Sequence, residues 1–320
     1  MALVGLPKTE DEAREYLEHI RWPSGPVCPR CGVENAYRLS AHSESKRGVR
    51  GGVLKCRACR KQFTVTVGTI MEGSHISLVK WVMAFHLLCS SKKGMSALQL
   101  QRNLGIGSYK SAWHLAHRIR YAMTQEPLAH MLKGTVEVDE TYVGGVTRGK
   151  GRVGKGSPSK TPVVALVERG GAVRPRVIGR VNAKTLKQAI RDFVDPEATI
   201  YTDDASIYRK LGQEYRHESV NHTNGEYVRG KVHTNTVESF FALLKRGTYG
   251  TFHHVSRKHL HRYCEEFGFR WTWRKVKDEV RSRMAIKAGE GKRLYYRTPT
   301  ASVPLILEGI ASSVVCDDLE

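Results

Sequence analysis

The sequence predicts an α/β protein in which a mixed sheet flanked by helices follows a small cysteine-bearing module and a helical region. Three observations predict it. From Thr135 onward, short alternating or apolar stretches are interleaved with helical ones, the texture of a mixed sheet with helices against it. Between about 71 and 133, apolar residues recur every three or four positions. Ahead of both lie two Cys-x-x-Cys pairs. At 320 residues the chain has room for two domains of ~150 residues each and a small accessory module.

The first segment, about 1–70, opens on an amphipathic helix, because Ala13, Tyr16, Leu17 and Ile20 recur at helical spacing and Pro23, Gly25 and Pro26 end it. Then come Cys28-Pro-Arg-Cys31-Gly and Cys56-Arg-Ala-Cys59-Arg, with 24 residues between Cys31 and Cys56, and the alternating stretch Phe63–Val67. The expected order is knuckle, strands, knuckle, strand. Each Cys-x-x-Cys turn supplies two thiolates on one side of an ion, and two turns complete the tetrahedron of soft ligands that Zn2+ favours. Cys28, Cys31, Cys56 and Cys59 are therefore the expected zinc ligands. Four protein ligands close the site, so zinc there supports folding and not catalysis. A ribbon of this kind can present Arg30, Arg57, Arg60 and Lys61 to DNA.

The second segment, about 71–133, reads as helical throughout. Trp81, Val82, Phe85, Leu88 and Cys89 line one buried face. After Gly94, Ser96 caps a helix through about Leu104, Gly105-Ile-Gly107 makes a turn, and Ser108 caps a further helix carrying Ala112, Trp113, Ala116, Ile119 and Met123. Two helices joined by a glycine-containing turn give the helix-turn-helix outline, which any αα-hairpin shares.

The third segment, about 134–285, carries expected strands at Thr135–Asp139, Val163–Val167, Val173–Val181, Thr199–Thr202 and Arg216–Val220, and an expected helix at Leu186–Phe193. Between the first two strands, the glycine-rich stretch Gly144–Ser159 holds Arg148, Lys150, Arg152 and Lys155, which suits either a solvated linker or a loop that orders on a phosphate backbone. The remainder, about 286–320, holds Lys292–Arg297 and an apolar patch.

A balance of 52 Lys+Arg against 31 Asp+Glu gives a formal net charge of +21. Such an excess attracts polyanions, so nucleic acid is the leading partner class. The most apolar stretch, Ile76–Cys89, contains Lys80 and His86 and is shorter than the ~20 residues that span a bilayer. Met1–Ile20 is acidic and lacks the apolar stretch of a signal peptide, so a cytoplasmic protein without membrane partners is expected. Seven cysteines, an odd number, argue against a complete disulfide framework, and Cys89 and Cys264 read as small core hydrophobes.

Three carboxylates stand in the settings that metal-dependent phosphoryl chemistry needs. Asp139 lies on the strand Glu137-Val-Asp139, where alternation puts Glu137 and Asp139 on one face. Asp203 follows Thr199-Ile-Tyr-Thr202, at the carboxyl end of a strand, where open α/β sheets place their ligands. Glu238 opens the apolar helix Asn235-Thr-Val-Glu238-Ser-Phe-Phe. Singly, each has a bland role: a strand-end acid, a helix start, or a capping box between Asn235 and Glu238. Together, on strand, strand and helix with 63 and then 34 intervening residues, they suggest a shared magnesium site. Lys245, seven residues after Glu238, lies two turns along on nearly the same helix face and could hold a phosphate.

The knuckles followed by Gln62-Phe63 and Gly68-Thr69-Ile70, the run Val136-Glu-Val-Asp139-Glu-Thr-Tyr-Val-Gly-Gly145, the run Tyr201-Thr-Asp-Asp204 with Tyr208, and the run His233-Thr-Asn-Thr-Val-Glu238 through Lys245-Arg-Gly247 occur in one order. With Tyr249-Gly-Thr-Phe-His253 they resemble, over about residues 10–300, the bacterial insertion-sequence transposases that join an N-terminal zinc ribbon to a DDE catalytic domain of RNase H-like fold. That resemblance implies Asp139, Asp203 and Glu238 as the triad, holding Mg2+ or Mn2+, with Lys245 contacting DNA. Some relatives use an asparagine at the position of Asn235 as third ligand. Glu238 is favoured here because a carboxylate better neutralises a divalent ion, leaving Asn235 as a capping or auxiliary group. Trp271-Thr-Trp273 departs from the family, which tends to show an asparagine-bearing polar stretch there.

The implied activity is binding of terminal inverted repeats, strand cleavage, and strand transfer into target DNA. The expected partners are double-stranded element ends and target DNA, with the protein acting near the nucleoid as a homodimer or higher oligomer. A nuclease or junction resolvase of the same fold is the rival among enzymes. A catalytically decayed, zinc-containing DNA-binding regulator is the rival among binding proteins.

Overall fold

The computed structural model describes residues 5–39, 51–124, 131–144, 160–221, 224–296 and 314–315. It divides into two compact units, and they do not follow chain order. One draws on Met1–Ser90, Ala97–Met123 and Lys277–Glu320, the other on Ser91–Ser96 and Thr124–Val276.

In the first unit, α1 (Glu10–Arg21) begins at Thr9, whose hydroxyl accepts from Glu12 N–H while the Glu12 carboxylate reaches back to Thr9 N–H. The strands β1 (Ala36–Arg38), β2 (Leu54–Cys56) and β3 (Gln62–Phe63) form an antiparallel sheet in that order. The helix α2 (Leu78–Ser90) buries Trp81, Val82, Phe85, Leu88 and Cys89, the face its periodicity predicts.

Two further helices, α3 (Ala97–Leu104) and α4 (Tyr109–Ala122), pack on each other across a short turn. Gly105 ends α3 with left-handed backbone (φ 57°), and Ser108 caps α4 by accepting from Ser111 N–H at 3.3 Å. The helix-turn-helix outline is thus formed.

The second unit is built on a five-stranded sheet: β4 (Thr135–Gly144), β5 (Lys160–Glu168), β6 (Val173–Val177), β7 (Thr199–Asp203) and β8 (Arg216–Val220). Its spatial order is β6-β5-β4-β7-β8, with β4, β5 and β6 antiparallel and β7 and β8 parallel to β4. A tight turn at Gly170 (φ 75°) allows the β5–β6 hairpin, whereas the parallel β4–β7 pairing needs a crossover, which includes α5 (Ala183–Phe193).

The two faces of the sheet carry separate cores. Val136, Val138, Val164 and Leu166 meet Leu186, Ile190 and Phe193 of α5 on one side. Val163, Ala165 and Val167 meet Val237, Phe240 and Leu244 of α6 (Asn235–Gly250) and Leu260, Cys264 and Phe267 of α7 (Leu260–Thr272) on the other. An antiparallel three-strand meander extended by two parallel strands, with helices on both faces, is an RNase H-like arrangement.

Several strands differ from their sequence-based bounds: β3 stops at Phe63, with turns in place of the expected strand to Val67, β5 runs from Lys160 to Glu168 around the expected Val163–Val167, and β7 takes in Asp203. β4 continues past Asp139 to Gly144 because it is paired residue by residue with β5, from Val136 opposite Glu168 to Gly144 opposite Lys160. β6 stops at Val177, short of Val181, and Asn182 then caps α5 by accepting from Thr185 N–H at 2.9 Å. The cationic stretch with Arg148, Lys150, Arg152 and Lys155 lies outside the described residues.

Candidate active site and metal centre

The four knuckle cysteines converge. Cys28 Sγ lies 3.7 Å from Cys59 Sγ and Cys31 Sγ lies 3.6 Å from Cys56 Sγ, and all four sulfurs fall within 4.8 Å of one another. A tetrahedral ion with Zn–S bonds of about 2.3 Å requires sulfurs roughly 3.8 Å apart, so the donor set and its spacing fit Zn2+. Local hydrogen bonds shape both knuckles alike: Gly32 N–H donates to Cys28 O at 2.9 Å, and Arg60 N–H donates to Cys56 O at 3.1 Å. Arg30, Arg57, Arg60 and Lys61 are exposed around the cluster. Cys89 and Cys264 are buried elsewhere, and burial pushes the Cys264 thiol far above its ordinary range.

The acids gather at one end of the sheet. The parallel register that pairs Glu137 with Tyr201 brings Asp139 level with Asp203 on the neighbouring strand. Strands lie about 4.8 Å apart, and paired residues of parallel strands face the same side, here the side that α6 covers. Asp139 is largely withdrawn from water, and its carboxyl is pushed up to about 7, first by burial and then by the negative charge of Glu140. Asp203 and Glu238 add to the repulsion, while the bond from Glu140 N–H to Asp139 Oδ1, at 2.7 Å, opposes it. Asp139 therefore feels the charge of both Asp203 and Glu238.

Other groups complete the surroundings. Tyr208, buried beside β4, donates its hydroxyl to Glu140 Oε2 at 2.9 Å, and burial together with Glu140 keeps that phenol protonated far above its usual range. Glu238 and Asn235 are exposed on the first turn of α6, and Lys245 is exposed further along that helix. The capping box between Asn235 and Glu238 does not form. Thr234 is the capping position, its hydroxyl donates to Glu238 Oε1 at 3.2 Å, and the helix start is held from elsewhere.

Strand alternation sets Glu137 on the same face as Asp139 and by itself assigns it no task. In the structure its fully buried carboxylate accepts from Thr236 N–H (2.7 Å), Thr236 Oγ1 (2.8 Å) and Val237 N–H (3.0 Å), so a strand residue caps α6. Arg169 Nε donates to the same carboxylate at 2.6 Å. Only the alternation Glu137-Val-Asp139 signalled an inward acid; its partners lie far along the chain.

No helix among the described residues is long and apolar enough to cross a membrane. Residues 131–272 match the ISXO2-like transposase domain of the IS1595 group, and residues 8–62 match its transposase zinc-ribbon domain. An uncharacterized protein in transposable element ISH50 of Halobacterium salinarum is 30% identical over 257 residues, covering 74% of this chain and 83% of that protein. Among solved structures, the Mos1 strand transfer complex aligns over 66% of this chain and 78% of its own at 14% identity and a TM-score of 0.27. A pre-cleavage Mos1 transpososome aligns over 66% and 79% at 14% identity and a TM-score of 0.26. The transposase-domain match covers the sheet and all three acids, the ribbon match ends beyond Cys59, and the relative spans most of both chains: this protein belongs to the IS1595 family of ISXO2-like transposases.

Proposed function

We propose that this transposase binds double-stranded DNA at the ends of its element and catalyses strand cleavage followed by strand transfer at the site formed by Asp139, Asp203 and Glu238. The observation that carries the proposal is the register that sets Asp139 level with Asp203 on adjacent strands, where the charges of Asp203 and of Glu238 both oppose ionisation of Asp139, which makes the site a place for positive charge. An all-oxygen acidic donor set suits Mg2+ or Mn2+. Bound there, two such ions would activate water or a DNA 3′-hydroxyl and stabilise the departing oxygen during in-line displacement at phosphorus.

The chain's own residues do the rest. Asp139 and Asp203 present oxygens from neighbouring strands, and the first turn of α6 adds Glu238. Asn235, one turn before Glu238, is an auxiliary ligand. Lys245 places a cation two turns along α6, about 10 Å from Glu238, where a DNA phosphate can rest. The helix pair α3–α4 and the exposed ribbon cations serve end recognition, and the zinc cluster keeps the ribbon folded.

The test is incubation of the protein with inverted-repeat DNA and Mg2+, with wild type and Asp139→Asn compared for nicked and joined products. Wild type is expected to give both products, and the variant is expected to bind the DNA and give neither. Nicking without joining would favour a nuclease, and cleavage by Asp139→Asn would remove that residue from the site.

A further inference from the structure

We propose that Glu137 and Arg169 are positioning residues that fix the first turn of α6, and with it Glu238 and Asn235, against the two strands that carry Asp139 and Asp203. The inference rests on the assignment of those acids to a shared metal site, and adds to it the device that sets their spacing.

The geometry is that of a hub one layer beneath the acids. Glu137 lies two residues before Asp139 on the same face of β4, roughly 6.6 Å along the strand. Its carboxylate receives the N–H groups of Thr236 and Val237, which are among the helix donors that no intrahelical carbonyl can satisfy. A negative charge there also meets the positive end of the helix dipole.

Arg169, at the β5–β6 turn, binds Glu137 through Nε and turns its other two nitrogens to the carbonyls of Lys231 and His233, at 2.7 and 3.0 Å. Its guanidinium also sits over the Tyr201 ring, 4.8 Å from the centroid, and Tyr201 is two residues before Asp203 on β7. One ion pair thus touches β4, β7 and the chain entering α6, the three elements that carry Asp139, Asp203 and Glu238. His233 Nδ1, 3.4 Å from Glu137 Oε1, faces the same carboxylate.

Burying a carboxylate completely is costly unless it is fully paired, and a well-packed apolar residue would fill the space at lower cost. A fully buried carboxylate, paired with a half-buried arginine and bonded to both sides of the acidic site, is explained by register. Removing it lets the first turn of α6 shift and leaves two helix N–H groups without an acceptor, and groups that orient metal ligands typically change metal affinity by about 10- to 100-fold.

The experiment measures Mn2+ binding and catalysis separately in full-length protein. Mn2+ affinity is read by the electron paramagnetic resonance signal of the free ion, and cleavage of inverted-repeat DNA is titrated with Mg2+. Glu137→Gln and Arg169→Lys are expected to weaken Mn2+ binding and raise the Mg2+ midpoint by about 10-fold or more, with DNA affinity unchanged and activity largely restored at saturating metal. Thr236→Val, which removes only the hydroxyl donor, should shift both in the same direction by less. If Glu137→Gln does not fold, Arg169→Lys and Thr236→Val decide. Wild-type Mn2+ affinity and Mg2+ midpoint in folded variants overturn the inference. Asp139→Asn is run beside them: if it still cleaves, the site assignment itself fails, whereas an inactive Asp139→Asn beside wild-type Glu137→Gln condemns only the positioning role.

Discussion

Arg60 stands in the second cysteine knuckle where Gly32 stands in the first, and both have left-handed backbone, at φ 61° and 73°. Each follows the second cysteine of its pair and returns its N–H to the carbonyl of the first. Glycine adopts this conformation without penalty, while a side chain there costs about 1 kcal/mol. Arg60→Gly should therefore stabilise the ribbon and Gly32→Ala weaken it by about that amount, since a Cβ at Gly32 meets nothing within 4 Å. Thermal melts of the zinc-loaded protein at fixed metal concentration check both signs.

Zinc removal should be far more damaging than either change. Cys28→Ser breaks the four-sulfur cluster, so the freshly purified variant is expected to lose its bound zinc and the fold of the ribbon together. Metal analysis should give one zinc per wild-type chain, and its absence would remove the structural role given to the cluster.

Gly247 lies inside α6, where helix propensity alone would reward alanine by about 1 kcal/mol. Its surroundings reverse that sign. A Cβ there would sit 2.1 Å from Phe267 Cζ and 2.8 Å from the Lys93 carbonyl oxygen. Gly247→Ala is expected to destabilise the protein by about 1–3 kcal/mol through overpacking, and Phe267→Leu in the same chain should recover part of the loss. Denaturant unfolding of the single and double variants tests it, and a stabilised Gly247→Ala would show that α6 and α7 have room to part.

The Asp139 carboxyl, pushed up to about 7, has a consequence for stability in Mg2+-free buffer. In the unfolded chain it titrates near 3.9, so between about pH 4 and 7 the folded state holds a proton that the unfolded state has released. Its contribution to stability therefore falls as pH rises through this window. Asp139→Asn should flatten that slope and be at least as stable as wild type near pH 7. Melting temperatures measured from pH 5 to 8 read the difference, which added Mg2+ should narrow by stabilising wild type selectively.

Lys245 is exposed on α6 beyond Glu238. If a DNA phosphate rests on it, Lys245→Ala should weaken binding and lower the salt slope by about 0.9 log units per log unit of salt, the value of one duplex phosphate contact. Fluorescence anisotropy over a salt series measures it, and an unchanged slope with unchanged joining would show the lysine to be merely solvated.

Much of this architecture was legible in the chain because the signals are local. The period of Trp81 to Cys89, the cap at Ser108 and the bounds of β8 all depend on neighbours a few positions away. The acids were legible as candidates because strand ends and helix starts can be read locally, and their register followed once β4 and β7 paired. What stayed hidden is non-local. Nothing near Asn235 reveals that its helix is capped by Glu137, 99 positions before Thr236, or that Arg169 binds the carbonyls of Lys231 and His233. The local capping-box pattern was satisfied in sequence and unused in structure: the Glu238 N–H it would use donates to the Thr234 carbonyl and the Asn235 N–H to His233 Nδ1, while Glu137 takes the N–H groups of Thr236 and Val237.

The chain order of the first unit bears on how it is made. The helix α8 (Asp278–Lys287) packs on α2, and Arg281 reaches the Cys89 carbonyl at 2.7 Å across 192 positions. During synthesis, at ~5–20 residues per second, the apolar side of α2 therefore waits on the order of 10–40 s for its partner to leave the ribosome. Over that interval the ribbon and the helix pair emerge with an exposed apolar flank, while the sheet unit between them can be completed first. A nascent transposase is thus most vulnerable to aggregation and proteolysis at its oldest end, and a chaperone that shields α2 would raise the yield of active protein.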